Sequence, residues 1–417
     1  MSKAFEHSRA EYATTPALPR LVVRKYGGTS LATPELVHRV AADVAACART
    51  GRAVVVVVSA MGDTTDRLAA FARRFADRPD PRELDQLLAT GEQVSAAVLA
   101  MALRRCGVAA VSLSGGQAGI ETGGEPGAAT VARIDPHPVL DRLRSGQVVV
   151  VAGFQGRDAA GELRTLGRGG SDTTAVALAA ALGATECDIR TDVPGVHTAD
   201  PRIVPGSRPL TSIRTDVMAE LARAGAAVLH PRSVELAARH GVTVLVSHAT
   251  RTGPGTTVRP GPPELERGTE VVGIAHARDV HLVRIEEPGL TPGRGSRLLA
   301  ELVARGLRPD TLSWPDPGEL RFTVRGPDPR ERLASLDTES TVDGGLGSVS
   351  VVGTGLLDTP APCAEVLRLA GELGVTVPAM ATSAGRLTAV FPAGLLDTAV
   401  RALHRCFRLD LPAEARP

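Results

Sequence analysis

Three observations predict an α/β domain with a mostly parallel sheet between helices, followed by two smaller ferredoxin-like α+β modules. Apolar runs such as Ala53 to Val58 and Gln147 to Ala152 are continuous rather than alternating, as expected of strands covered on both faces. From Leu21 to Val246 the pattern repeats as strand, Gly-containing turn and helix. Beyond a Gly- and Pro-rich stretch, Arg251 to Gly268, the elements shorten and their order changes.

The elements follow in order. Leu21 to Lys25 is a short apolar strand, after which Thr33 reads as an N-cap and Pro34 as the first helical position. Leu36, Val37, Val40, Ala41 and Val44 then recur at helical spacing. Ala53 to Val58, Val108 to Leu113 and Gln147 to Ala152 read as strands, and Arg82 to Arg105 as a long helix. Ser171 to Leu182 is an Ala-rich helix ended by Gly183, Glu186 to Arg190 a strand, and Pro231 to His240 a helix with Gly241 just past its end. Val242 to Val246 closes the series. In the C-terminal part the expected order is strand Val271 to Ala275, strand Leu282 to Glu286, helix Ser296 to Arg305 and strand Leu320 to Val324. Then come Val349 to Gly353, Cys363 to Leu373, Val375 to Pro378, Leu387 to Phe391, Leu395 to His404 and Phe407 to Leu409, a βαββαβ order. The division this suggests is a loose tail at 1–20, an α/β domain at 21–262, and modules at 269–345 and 346–417.

At 417 residues the chain has room for about three folding units and for deep sites. Lys plus Arg total 47 against 46 Asp plus Glu, a net charge of +1, so no basic footprint for nucleic acid is expected. Phe, Tyr and Trp number 7, 2 and 1, too few to build stacking platforms for single strands. Five scattered cysteines without a C-x-x-C pair fit a reduced, cytoplasmic protein. The polar N-terminus does not read as a signal peptide, and no uninterrupted apolar run reaches membrane-spanning length. Only Lys3 and Lys25 among the basic residues are lysines, so Lys25 invites a reason.

Three constellations could carry chemistry. Strand Leu21 to Lys25 runs into Tyr26, Gly27, Gly28, Thr29 and Ser30, where glycines let the backbone approach a phosphate and Lys25 supplies a compact charge. Alone, this pattern fits a tight turn with a solvated lysine equally well. Thr165 to Thr174 places three glycines and Arg168 before the Ala-rich helix, an anion nest or an ordinary helix start. The loop Thr191 to Arg202 follows a strand end, where α/β proteins place ligands.

Together, these stretches resemble the aspartate kinases of the amino-acid kinase family. The resemblance rests on Lys25 to Ser30, Ser59-Ala60-Met61-Gly62-Asp63-Thr64-Thr65, Ala89-Thr90-Gly91-Glu92, Ala152 to Gly156, Thr165 to Thr174, Asp192 to Arg202 and Leu229-His230-Pro231. It implies the amino-acid kinase fold, ATP with its accompanying Mg²⁺, and transfer of the γ-phosphoryl group to the side-chain carboxylate of L-aspartate. By resemblance Lys25, Asp172 and Arg168 are catalytic, and Ser59, Thr64, Thr65, Glu92 and Arg168 bind the substrate. Lys25, Gly27, Gly28, Gly170, Thr191, Asp192, His197 and Arg202 face the nucleotide, and no dedicated metal ligands are expected. The terminal modules look like regulatory ACT domains that bind an amino-acid effector and pair subunits into a homo-oligomer, with no membrane partner.

The chain departs from the family pattern in places. Gly225-Ala226-Ala227 stands where members often carry Gly-x-Lys, and His197 replaces a Tyr. Glu286-Glu287-Pro288-Gly289 keeps an effector-loop turn, while Ala381-Thr382-Ser383-Ala384-Gly385 lacks an acidic residue. Two alternatives therefore stand beside aspartate kinase: a diverged paralogue acting on a related amino-acid carboxylate in specialised metabolism, and a weakly active amino-acid-sensing regulatory subunit.

Overall fold

The computed structural model describes residues 20–251, 253–261, 268–287, 289–316, 318–336 and 338–411. The tail with Lys3, the 262–267 part of the Gly/Pro-rich stretch, and Pro288 lie outside the described residues. The chain divides into two units. The first takes in the described residues up to Val196, Leu210–Ala219 and Val228 onward to 261; the second holds His197–Pro209, Glu220–Ala227 and the described residues from 268.

In the first unit the strands are β1 (Val22–Tyr26), β2 (Val54–Val58), β3 (Ala110–Leu113), β4 (Ile120–Gly123), β5 (Thr130–Ile134), β6 (Val148–Ala152), β7 (Gln155–Arg157), β8 (Leu163–Thr165), β9 (Glu186–Thr191), β10 (Ser212–Arg214), β11 (Thr243–His248) and β12 (Thr256–Arg259). Eight form a sheet ordered β10-β12-β11-β9-β1-β2-β6-β3, parallel except where β11 meets β12. Every residue of β2 and β6 is buried, which is why their valine runs show no alternation. A second sheet, ordered β5-β4-β7-β8, was not foreseen; its strands are three to five residues long and polar, with too little hydrophobic period to signal them.

The helices start where local chemistry says they should. Thr33 accepts a hydrogen bond from the Leu36 amide, and Pro34 opens the helix Pro34–Arg49. Asp80 caps Pro81–Arg105 through the amides of Arg82 and Glu83. Gly241, at φ +66°, ends Pro231–His240 in the left-handed conformation. The apolar sequence of the helix Pro81–Arg105 is interrupted by Arg82, Glu83, Asp85 and Glu92, so it holds no apolar run of membrane-spanning length. Among the described residues it alone is long and, on average, apolar enough to span a membrane. Its many small Ala residues raise the average without forming one run. Its buried positions include Asp85, Glu92, Leu99 and Leu103, so it serves as a core helix.

Strand β1 sits at the centre of the large sheet and sends polar side chains both ways. Arg24 and Tyr26 face the helix Pro34–Arg49, where Asp43 accepts from Arg24 at 2.9 Å and from the Tyr26 hydroxyl at 2.5 Å. Burial and the Asp43 charge push the Tyr26 phenol up. Asp188, the cross-strand neighbour of Arg24 on β9, lies 3.4 Å from the Arg24 Nε and 2.7 Å from the Arg190 Nε, and accepts from Ser247 at 2.9 Å.

The second unit contains β13 (Glu270–Glu286), β14 (Leu312–Ser313), β15 (Glu319–Arg325), β16 (Glu339–Thr354), β17 (Met380–Thr382) and β18 (Arg386–Pro392), in one sheet ordered β14-β15-β13-β16-β18-β17. The two strands expected at 271–275 and 282–286 are one strand, β13, broken in register around Asp279, whose φ of +53° accompanies the irregularity that interrupts the apolar pattern. The late part of β13 pairs with β15 on one side and with the early part of β16 on the other. The early part of β13 pairs with the late part of β16, which pairs in turn with β18.

The strand expected at Phe407 to Leu409 does not form. Its amides are spent on the carbonyls of Leu403, Arg405 and His404, closing the helix Leu396–Cys406, and residues 270–277 fill that sheet position instead. Similarly, the Val375 amide closes the preceding helix onto the Ala370 carbonyl, so the strand expected at 375–378 begins later, at Met380. Separate apolar cores lie under the two halves of the sheet, one built on Leu298, Leu302 and Phe322, the other on Val366, Phe391 and Leu403.

Replacing Asp188 with Ala leaves the Arg190 guanidinium without its carboxylate and Arg24 with Asp43 alone. Urea unfolding is expected to show a loss of about 3–5 kcal/mol, with secondary structure retained at zero denaturant.

Candidate active site

The C-terminal ends of the parallel strands carry the cluster. Lys25, one residue before the end of β1, extends its Nζ to 2.7 Å from Asp172 Oδ1, and each side chain is only 12% exposed. Asp172 stands in the first turn of the helix Gly170–Ala181, which covers the face of β1 opposite Asp43. Gly27 lies against the lysine head: a Cβ there would stand 3.5 Å from Nζ, in ordinary van der Waals contact. Gly28 presses against the next loop, since a Cβ would meet the Ala60 carbonyl at 2.5 Å.

That loop, from Ser59 at the end of β2 to Thr64, is held from two sides. The Ser59 amide donates to the Tyr26 carbonyl at 3.1 Å, and the Ala60 amide to Glu92 Oε1 at 3.0 Å. Glu92 is 3% exposed; its Oε2 is buried without a hydrogen-bond partner, and burial pushes the carboxyl up to about 7. The Thr64 hydroxyl donates to the Met61 carbonyl at 2.6 Å, and half-buried Thr65 follows in the same helical turn.

The Gly-rich loop runs from the end of β8 into the helix at Gly170. Gly169 has φ +67°, and a Cβ there would lie 2.1 Å from the His230 ring, so only glycine fits. His230 accepts the Arg232 amide through Nδ1 and caps the helix Pro231–His240. Arg168, between Gly167 and Gly169, is exposed and makes no hydrogen bond or ion pair with any described residue. It is therefore available to a ligand anion.

Two residues of this region escaped sequence reasoning. Asp85, 1% exposed, accepts the Thr165 hydroxyl at 2.6 Å, the Thr165 amide at 2.9 Å and the Gly127 amide at 3.0 Å. Arg232 donates to the carbonyls of Leu166 at 2.6 Å and Ala129 at 3.1 Å. One signal was available for Asp85: it precedes Glu92 by two helical turns, so both carboxyls share a face. Nothing local marks Arg232.

On the far side of β1, Thr191 ends β9 and its hydroxyl donates to Asp192 at 3.0 Å. His197 and Arg202 belong to the second unit. Arg202 is 88% exposed and grips Asp200 at 2.7 Å, while His197 approaches the Ser207 carbonyl at 3.4 Å. Gly225 turns at φ +117° and no cation occupies Ala227. Glu287 is paired with Arg294 at 3.1 Å. Among the described residues no three His, Cys, Asp or Glu side chains converge as a metal cage.

A lysine–aspartate pair at the end of a parallel strand, beside a glycine loop and a helix start, gives this α/β protein a site suited to phosphate chemistry. Residues 20–248 match the amino acid kinase family. The chain is 41% identical to an aspartokinase of Thermus thermophilus, over 94% of this chain and 99% of that protein. It is 40% identical to aspartokinase 2 of Bacillus subtilis, over 94% and 98%. The solved structure of E. coli aspartokinase III with aspartate and ADP superposes with a TM-score of 0.79 at 26% identity, covering 93% of this chain and 99% of that one. The chain belongs to the amino acid kinase family and, within it, to the aspartokinases.

The raised Glu92 carboxyl makes stability depend on pH. Because the folded pKa, about 7, exceeds the ordinary value of 4.5, the native state keeps its proton longer; stability is fully present below 4.5 and falls as pH rises through 7. Glu92→Gln abolishes this fall. Relative to wild type, the variant should gain on the order of 1–3 kcal/mol between acid and neutral pH, measured by chemical unfolding across that range.

Proposed function

We propose that this chain transfers the γ-phosphoryl group of ATP to the side-chain carboxylate of L-aspartate, giving 4-phospho-L-aspartate and ADP. This is the first step toward lysine, threonine and methionine, carried out in the cytoplasm. The observation that carries the reading is the Lys25–Asp172 pair at 2.7 Å, with the exposed Arg168 four residues before Asp172 in the same glycine-rich stretch. The presence of aspartate and ADP in the related E. coli enzyme supports it.

The acceptor is a carboxylate ionised at neutral pH, so the reaction needs no general base. One carboxylate oxygen bonds to the γ-phosphorus as the bond to the bridging β,γ-oxygen breaks, and ADP leaves with that electron pair. Catalysis is then a matter of alignment and charge neutralisation. Lys25, oriented by Asp172, meets the charge developing on the transferring group. Arg168 binds a carboxylate of aspartate, and Glu92 meets its ammonium with Ser59, Thr64 and Thr65 alongside. Gly27, Gly28, Gly170, Thr191, Asp192, His197 and Arg202 serve the nucleotide. Mg²⁺ accompanying ATP would supply neutralisation of phosphate charge, and a dedicated cage of protein carboxylates would not be needed to hold it. Residues 21–262 form the catalytic domain, and the modules at 269–345 and 346–417 act as ACT domains that bind an amino-acid effector and join subunits.

Incubation with Mg-ATP, L-aspartate and hydroxylamine should yield aspartyl hydroxamate; none at high enzyme concentration would sink the reading. Added lysine or threonine tests the effector role in the same assay. Lys25→Arg should retain less than about 1% of turnover, because a planar fork cannot replace a compact ammonium. The KM for aspartate should rise as pH falls below about 7, where Glu92 gains a proton and loses its attraction for the ammonium. Glu92→Gln should flatten that dependence in a pH series of initial rates.

A further inference from the structure

We infer that Asp85 and Arg232 form a two-sided clamp that positions Arg168 for the substrate carboxylate, and so sets affinity for the amino acid rather than for ATP. This rests on the reading of Arg168 given above. The clamp is complementary in hydrogen-bond sense. Asp85 collects donors: the Thr165 hydroxyl at 2.6 Å and the amides of Thr165 and Gly127 at 2.9 and 3.0 Å. Arg232 supplies donors: its guanidinium reaches the Leu166 and Ala129 carbonyls at 2.6 and 3.1 Å. Each therefore ties the same two segments, 127–129 and 165–166, and a direct bond from the Ala129 amide to the Thr165 carbonyl at 3.1 Å lies between them. The Leu166 amide is fixed in turn to the Phe154 carbonyl at 2.8 Å.

The backbone leading to Arg168 is thereby held at every polar group of Thr165 and Leu166. On the other side the chain is fixed by the Gly170 amide on the Gly167 carbonyl at 3.0 Å and by the Thr173 amide on the Gly169 carbonyl at 3.1 Å. The exposed Arg168 side chain emerges from this braced loop with its guanidinium unpaired among the described residues. Asp85 is almost wholly buried, at 1% exposure, and cannot itself reach a substrate. Arg168 needs such bracing because a long cation on a loose loop spends part of its binding energy on being ordered. Small misplacements of an orienting group are also costly. The same helix carries Glu92, whose Oε1 holds the Ala60 amide. One helix thus sets the ammonium partner and, through Asp85, the carboxylate partner of a single amino acid.

Initial rates of Asp85→Asn, Arg232→Lys and Thr165→Val, with calorimetric binding of L-aspartate, test the clamp. The KM for aspartate should rise about tenfold or more and its binding should weaken in parallel, while the KM for ATP stays within about twofold. Asp85→Asn, which keeps an acceptor for the two amides, should be milder than Asp85→Ala. Thr165→Val removes one oxygen from an otherwise isosteric side chain, so it carries the test should the charged-site variants not fold. Equal rises in both KM values, or unchanged aspartate affinity in Thr165→Val and Asp85→Asn, overturn the clamp. Wild-type protein that forms no hydroxamate from aspartate overturns the underlying reading instead, before any variant is compared.

Discussion

A strand sends successive side chains to opposite faces of its sheet, and in β1 that rule falls on Arg24, Lys25 and Tyr26 at the centre of a buried parallel sheet. Arg24 and Tyr26 meet Asp43 on one face, and Lys25 meets Asp172 on the other. A slip of one residue would turn the lysine toward Asp43 and leave Asp172 facing the tyrosine or Arg24. The network around Asp43 and Asp188 therefore does more than compensate buried charge: it holds the register in which the single described lysine reaches the helix Gly170–Ala181. Buried ion pairs are weak sources of net stability, but they are costly to misplace.

The surrounding chemistry divides between positions set by backbone and positions set by distant side chains. The glycine loop and the Ser59 loop are both tied to the helix Pro81–Arg105, one through Asp85 and the other through Glu92. The two carboxyls differ in how well they are satisfied. Asp85 has three donors, while Glu92 has one, with Oε2 left bare in a buried place. An unpartnered buried oxygen is expensive in the free protein and favours a cationic ligand. The environment that raises its pKa thus suits it to a substrate ammonium.

Much of the fold could be read from the chain. The all-valine run of β2, the Thr33-Pro34 helix start and Gly241 past a helix end each express local chemistry that survives into the structure. The second unit was less legible. A bulge at Asp279 makes one strand look like two, and the turn at Phe407 to Leu409 has the apolar content of a strand while its amides are spent on closing a helix. Which segment fills a sheet edge depends on long-range pairing, here residues 270–277 with β16, and no local pattern encodes that choice. The short polar strands β4, β5, β7 and β8 failed for the related reason that they carry almost no hydrophobic period.

The site shows the same division. Lys25 stood out by composition, and the motifs around Gly27, Glu92, Arg168 and Asp172 by residue types that suit phosphates and charged substrates, because a short loop must carry its chemistry in adjacent positions. Only the tertiary structure decided that Lys25 pairs with Asp172, that Glu92 has a bare buried oxygen, and that Asp85 and Arg232 grip segments tens of residues away. Their partners are 42 and 80 positions away for Asp85 and 66 and 103 for Arg232, brought close by strand order and helix packing. Sequence by itself determined which chemical groups the protein has to work with; packing decided which of them are braced, paired or left free, since desolvation and hydrogen-bond geometry exist only once the chain has folded.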